Sequence, residues 1–279
     1  MLAKYLDPKN DTAFKVIFGS EKNKSILIHF INDILGFTAS SAIIDVEFLA
    51  TIQNPEIASE KQSIVDVLCK DANGVNYIVE MQVAKSKGFE KRAQYYASKV
   101  YSAQADKGER YHSLKEVIFI AIANCEIFPD KSGYKSDHVI LDKDSYEHNL
   151  KDFYFTFIEL PKFNKKKGDH LDNIIEKWCY FFKYAEETSE KDLESIIGSD
   201  LIIKRAYQAL DRFNWTEMEL SAYEATLKRD LDEEAVLEQK IDDAMATGMA
   251  AGIEKGKTEG IVEGIAKGKI EQALEIARK

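Results

Sequence analysis

Seven consecutive residues, Val117–Ala123, carry no polar side chain. The run is too short to span a membrane and too uniform for a half-exposed strand, so it predicts a central strand covered on both faces. Such a strand requires helices above and below its sheet, and the rest of the chain must provide them.

Residues 63–84 read as a β-hairpin. Two β-branched runs flank Asp71, Ala72, Asn73 and Gly74, a hairpin signal because Asn and Gly accept the positive φ of tight turns. With Ala72, Asn73 and Gly74 as a three-residue loop, the register sets Asp66 directly opposite Glu80. Alternation then places Ile64, Asp66, Leu68, Ile78, Glu80 and Gln82 on one face and Val65, Val67, Cys69, Val79, Met81 and Val83 on the other. Opposed Cβ atoms lie roughly 4.5–5.5 Å apart, so two acids there repel unless something neutralises them. One or two carboxylates plus retained water are what Mg²⁺ takes beside phosphates. An ordinary half-exposed strand pair with its acids in solvent is the alternative that spacing leaves open.

Helical patterns surround these strands. Residues 11–18 form one, opened by Asp7 and Pro8 and ended by Gly19, with Asp11 and Lys15 on one face. Residues 22–35 form a second, stopped by Gly36, and residues 89–106 a third, stopped by Gly108. In the third, Phe89, Arg92, Tyr96, Lys99 and Ala103 fall along one stripe. Residues 42–52 read as a strand broken by Asn54 and Pro55, and residues 137–141 and 152–160 as two more. In the last, Phe153, Phe155 and Phe157 alternate with Tyr154, Thr156 and Ile158. The expected fold class is α/β, a three-layer core with a central mixed β-sheet flanked by helices, plus an α-helical C-terminal region.

Charge restricts the partners. The net charge is −10, and 19 basic against 23 acidic residues up to Leu160 are followed by 19 against 25, so neither part is basic. A broad nucleic-acid-embracing surface is excluded, and any contact with DNA must be local. Cys69, Cys125 and Cys179 form no Cys-x-x-Cys pair and the five histidines are scattered, which points to a reducing compartment without disulfides or zinc. Neither an apolar run of about 18 residues nor a basic-then-apolar leader is present, so a cytoplasmic protein without membrane contact is expected.

Beyond residue 161 the composition shifts. Lys162, Lys165, Lys166, Lys167 and Gly168 suggest a basic linker at 162–168, offering a phosphate contact or a solvated loop, between a first domain at 1–161 and a helical region at 169–245. Helices are expected at 170–187, 190–197, 201–213 and 215–245. They would pack on the first domain or pair with another chain in a homo-oligomer. In the tail, 246–279, glycine recurs every fourth residue from Gly248 to Gly268. Each glycine costs a helix roughly 1 kcal/mol relative to alanine, and the stripe precesses by about 40° per repeat, so a marginal or disordered helix is expected.

The order helix, strand, Asp-bearing strand, Glu-x-Gln strand, helix, strand resembles the core of the PD-(D/E)XK nucleases. More closely, four motifs in sequence, Asp11-x-x-Phe14-Lys15, Ile64-Val65-Asp66-Val67, Ile78-Val79-Glu80-Met81-Gln82 and Arg92-Ala93-Gln94-Tyr95-Tyr96, resemble the Rpn family of recombination-promoting nucleases and transposases over residues 5–161. The resemblance implies hydrolysis of DNA phosphodiester bonds with Mg²⁺, or Mn²⁺ or Ca²⁺ in its place. It implies Asp66, Glu80 and the Met81 carbonyl as metal ligands and Gln82 as the residue that positions water. Around them, Asp11 and Lys15 read as a solvated pair or as accessory groups, Arg92 and Lys99 as contacts to flanking phosphates or as solvated stems, and Tyr95 and the accessory candidate Tyr96 as packing or as base-stacking residues. Gln82 stands where the commonest form of the motif has lysine. That departure keeps a second reading open, a catalytically inactive nuclease-fold protein that binds rather than cuts.

Overall fold

The computed structural model describes residues 3–53, 63–105, 110–198 and 200–277. Its centre is a six-stranded mixed sheet in the order β1-β4-β5-β6-β8-β7, formed by β1 (Val46–Phe48), β4 (Val67–Asp71), β5 (Asn76–Gln82), β6 (Val117–Ala123), β7 (Lys135–Ile140) and β8 (Leu150–Glu159). The strands β5, β6 and β8 run parallel, and antiparallel strands close both sides. A separate two-stranded ladder pairs β2 (Ile52–Gln53) with β3 (Ser63–Ile64).

All seven residues of β6 are buried, as an uninterrupted apolar strand demands. On one face Val117, Phe119 and Ala121 join Leu68, Ile78 and Phe157 against α3 (Phe89–Ser102), which contributes Phe89, Ala93, Ala97 and Val100. On the other, Ile118, Ile120 and Ile122 join Val67, Cys69, Val79 and Ile158 beneath α1 (Asp11–Phe18), α2 (Lys24–Leu35), α4 (Ile174–Tyr184) and α6 (Leu201–Leu210). Helices, sheet and helix make the expected three layers. Within the second layer boundary Phe18, Phe30, Trp178, Phe181 and Phe182 stack as one aromatic cluster, so α4 packs on the helices at the start of the chain. The remaining helices are α5 (Glu190–Ile197) and α7 (Glu217–Ala277).

Several elements differ from the sequence reading, each for a local reason. The cap of α1 is Asn10, whose side chain accepts from Thr12 and Ala13 amides, whereas Asp7 and Pro8 form a preceding turn closed by the Asn10 amide on the Asp7 carbonyl. The strand expected at 42–52 is reduced to β1 and β2, and its expected break at Asn54 and Pro55 lies outside the described residues. Helix α3 stops at Ser102, short of the expected end at Asp106, with Ala103 as its C-cap, and Gly108 lies outside the described residues. Helix α4 starts at Ile174 because Asn173 caps it through the Glu176 amide.

Three of the four lysines read as a basic linker are ion-paired. Lys162 is buried on Glu159 at 2.8 Å and also donates to the Phe128 carbonyl, Lys165 pairs with Asp172 at 2.7 Å, and Lys167 with Glu187. Lys162 therefore ties a turn to the sheet instead of meeting phosphate.

The tail also departs from expectation. The chain forms two compact units, Met1–Glu224 and Ala225–Lys279, and the second is helix throughout its described length, all six repeat glycines included. No proline occurs after Pro161, so glycine's entropic cost is the only local penalty, and the pairs Lys255–Glu259 and Glu263–Lys267 sit at the favourable i, i+4 spacing.

Candidate active site

The hairpin has the expected register. Lys70 faces Asn76, Cys69 faces Tyr77, Leu68 faces Ile78 and Val67 faces Val79, with Ala72 to Gly74 as the loop. Gly74 takes φ +82°, and the Asp71 carboxylate accepts from the Asn73 and Val75 amides, so the turn is built from the residues that signalled it.

Main-chain pairing with β5 stops at Val67, one residue short of Asp66. There side chains replace the ladder: Asp66 Oδ2 accepts from the Met81 amide at 2.9 Å, and Glu80 Oε2 accepts from the Asp66 amide at 3.1 Å. Each acid holds the other's strand. The interruption also shifts the alternation, because Val65, expected with Val67, lies with Leu68 and Ile78 on the α3 face. The wholly apolar opposite face is formed by Val67, Cys69, Val79 and Met81, while β5 ends at Gln82 and leaves Val83 exposed.

Neither acid points into open solvent. Glu80 is 6 % exposed and Asp66 half-buried. Burial first, then the charge of Asp66, pushes the Glu80 carboxyl up to about 8, while burial raises Asp66 against the opposing Met81 amide. Each carboxylate thus raises the cost of ionising the other, on top of the burial that both share. No ion pair reaches either among the described residues, since the Lys15 ammonium sits 2.7 Å from Asp11 and the Arg92 guanidinium donates to Gln82 Oε1. The other face of the Gln82 amide donates to the Ala84 carbonyl. Asp11, Lys15 and Arg92 lie close enough for their charges to act on Asp66, and the Tyr96 hydroxyl feels both carboxylates. All the sequence-derived candidates thus converge on one end of β5, brought there from α1, the β4 approach, β5 and α3.

Among the described residues no three His, Cys, Asp or Glu side chains gather into a metal cluster. The donor set still suits a hard divalent cation: two carboxylates are desolvated together without a cationic partner among the described residues, and each has one oxygen tied to a backbone amide and one left over. In an extended strand a residue's N–H and C=O leave by the same edge, so the Met81 carbonyl lies on the Asp66 side of β5, where main-chain pairing has ended. The alternation is consistent at Gln82, whose carbonyl accepts from Asn124 on the opposite side at 2.8 Å.

Sequence reasoning missed Glu159. It occupies the same register row as Gln82 and Ala123, is fully buried, and accepts from the Ile127 and Phe128 amides while paired with Lys162. It anchors the loop after β6. The only signal was an acid at the end of an aromatic strand three residues before a lysine.

The raised Glu80 value carries a stability consequence in metal-free solution. The folded carboxyl titrates above its unfolded value near 4.5, so the folded state binds the extra proton and stability is lost as pH rises from that value towards about 8. In chelator, Glu80→Gln should melt a few degrees above wild type at pH 8.5, with the gap closed at pH 4.5. Equal melting temperatures at both values would mean that the carboxyl is not desolvated.

Comparison with curated proteins and with solved structures returns no match. A family model described as PD-(D/E)XK nuclease family transposase matches residues 8–240, which includes the sheet, the interlocked acids and the helices packed behind them. The chain belongs to the PD-(D/E)XK nuclease family transposases.

Proposed function

We propose that this protein is a metal-dependent DNA endonuclease acting in recombination or transposition, and that its reaction is phosphodiester hydrolysis at the Asp66–Glu80 pair. The observation that carries this reading is two interlocked carboxylates, desolvated and raised, to which no cation among the described residues is paired. Asp66, Glu80 and the Met81 carbonyl would hold Mg²⁺, the cation that needs the fewest protein ligands; Mn²⁺ or Ca²⁺ would occupy the same oxygens. When bound, such a cation lowers the pKa of water and polarises a phosphate oxygen.

The chain's own residues do the remainder. Gln82 has no charge to donate and positions water through its amide, which Arg92 and the Ala84 carbonyl fix at either end. Arg92 also brings to this corner the positive charge that Gln82 lacks, and Tyr96 lines it. Asp11 and Lys15 stand at the rim as a half-exposed pair.

The test is incubation of purified protein with supercoiled plasmid and with circular single-stranded DNA, with Mg²⁺ and with excess chelator. Cleavage of either circle that requires Mg²⁺ is expected. Cutting that persists in chelator, or no cutting under any divalent cation, would leave the binding-protein reading in its place.

Self-association we assign to the C-terminal helical region. Helix α7 exposes Ile241, Met245, Met249, Ile253, Ile261 and Ile265 at a four-residue spacing interrupted by one lysine, an unusual cost for a helix that meets only water. Truncation after Met245 should reduce the mass read by light scattering from that of an oligomer to that of one shortened chain, and should lower the melting temperature by what association contributes. A full-length chain that scatters as a monomer, or a truncated chain with the oligomeric state of the full-length one, would contradict this assignment.

A further inference from the structure

Residues 83–103 hold Lys85, Lys87, Lys91, Arg92 and Lys99 against Glu90 alone, a local charge of +4 in a chain of −10, which leaves −14 for everything else. These residues form the exposed loop after β5 and helix α3, the two elements that adjoin the Asp66–Glu80 pair. Within α3 the basic residues interleave with aromatic ones. Lys91, Tyr95 and Lys99 follow one another at i, i+4 and i+8, a single stripe along the helix, with Tyr95 37 % exposed and the Lys99 ammonium 5.9 Å from its ring centroid. The adjacent stripe carries Arg92, 4.8 Å from the Phe89 ring and 5.9 Å from the Tyr96 ring, and Arg92 ends on Gln82. One narrow basic and aromatic strip therefore leads along α3 to the candidate reaction centre.

We infer that this strip is the substrate track, and that it takes a single nucleic-acid strand, with the phosphates on Lys85, Lys87, Lys91 and Lys99 and an unpaired base stacked on Tyr95. The inference rests on the nuclease reading for the place where the strand leads. A duplex presents two charged strands, and the second would face a protein whose remaining charge is −14. A single strand needs only a line of cations and an aromatic face, and every unpaired base has a π surface to offer that face. Bases inside a duplex are already stacked and paired, so Tyr95 gains nothing from them.

Binding is tested by fluorescence anisotropy of a labelled oligothymidylate and of a duplex of equal length, in chelator so that nothing is cut. Wild type should bind the single strand about ten-fold more tightly than the duplex. Tyr95→Ala should lose about ten-fold for the single strand and nothing for the duplex, while Tyr95→Phe retains wild-type affinity. Lys91→Gln and Lys99→Gln should each lower the slope of log affinity against log salt by about 0.7. Circular dichroism of each variant checks that α3 is intact. Duplex bound as tightly as single strand, or Tyr95→Ala indistinguishable from wild type, would overturn the inference. Mg²⁺-dependent cleavage that survives all three substitutions removes the track and leaves the nuclease reading standing. Selective single-strand binding without cleavage in any divalent cation does the reverse.

Discussion

Asp66→Ala and Glu80→Ala are each expected to remove Mg²⁺-dependent cleavage, by a factor of at least about a thousand, which corresponds to ~4 kcal/mol of lost transition-state stabilisation. Each substitution deletes an anionic oxygen donor that no described neighbour can replace, since Asp11 is held by Lys15 and Glu159 is held by Lys162. Each also deletes a hydrogen bond that aligns the two strands, so the isosteric Asp66→Asn and Glu80→Gln variants separate chemistry from shape: they preserve an acceptor for the Met81 and Asp66 amides and lose the charge. Both should bind Mg²⁺ far more weakly by calorimetry, with the loss of cleavage appearing in kcat. Glu80→Gln is the more telling of the two, because the same change that abolishes cutting should stabilise the metal-free fold above neutral pH. Wild-type cleavage by Asp66→Asn in Mg²⁺ would refute the assigned role of this pair.

The second large effect concerns the packing behind the sheet. Trp178→Ala in α4 should destabilise the chain by about 3–5 kcal/mol, the usual loss for a fully buried aromatic residue. Trp178 is 0 % exposed, meets Phe30 edge-on at 5.2 Å and Phe18 at 6.1 Å, and donates its indole N–H to Asp33 at 2.8 Å. Removal leaves a cavity in the aromatic cluster and strips a donor from a carboxylate that burial already raises. Trp178→Phe refills most of the space and forfeits the hydrogen bond, for a loss of about 1–3 kcal/mol. Urea unfolding followed through the sheet and through the helices should shift by the same amount for both probes, with the m-value unchanged, because α1, α2, α4 and the sheet share one core. Separate transitions, with the sheet unaffected, would show that α4 is dispensable to the first 161 residues.

Much of the site was legible in the sequence because its parts obey short-range rules. The period-two alternation, the Asn73–Gly74 turn and the length of the loop fix which residues of a hairpin face each other, and that is enough to oppose Asp66 and Glu80. The unbroken apolar run at Val117–Ala123 fixes a strand buried on both faces, and with it the need for helices on both sides. Those rules concern neighbours along the chain or across one turn, and they hold as far as the backbone ladder runs, to Val67.

What the tertiary structure alone decided depends on residues far apart in sequence. Whether the two acids face water or lie desolvated depends on α1 and α3 closing over the end of β5, and no spacing within the hairpin contains that information. The ladder's stop at Val67 is decided by the side chains of Asp66 and Glu80 taking over from the backbone, a choice that propensity scales do not see. Gln82 could be matched to a motif position, but only the fold sets Arg92 upon it and so restores a positive charge where the sequence has lost one. Lys162 read as a linker cation until Glu159, buried at the end of β8, claimed it. Local sequence determines which face a side chain takes; what covers that face is settled by segments tens to hundreds of residues away.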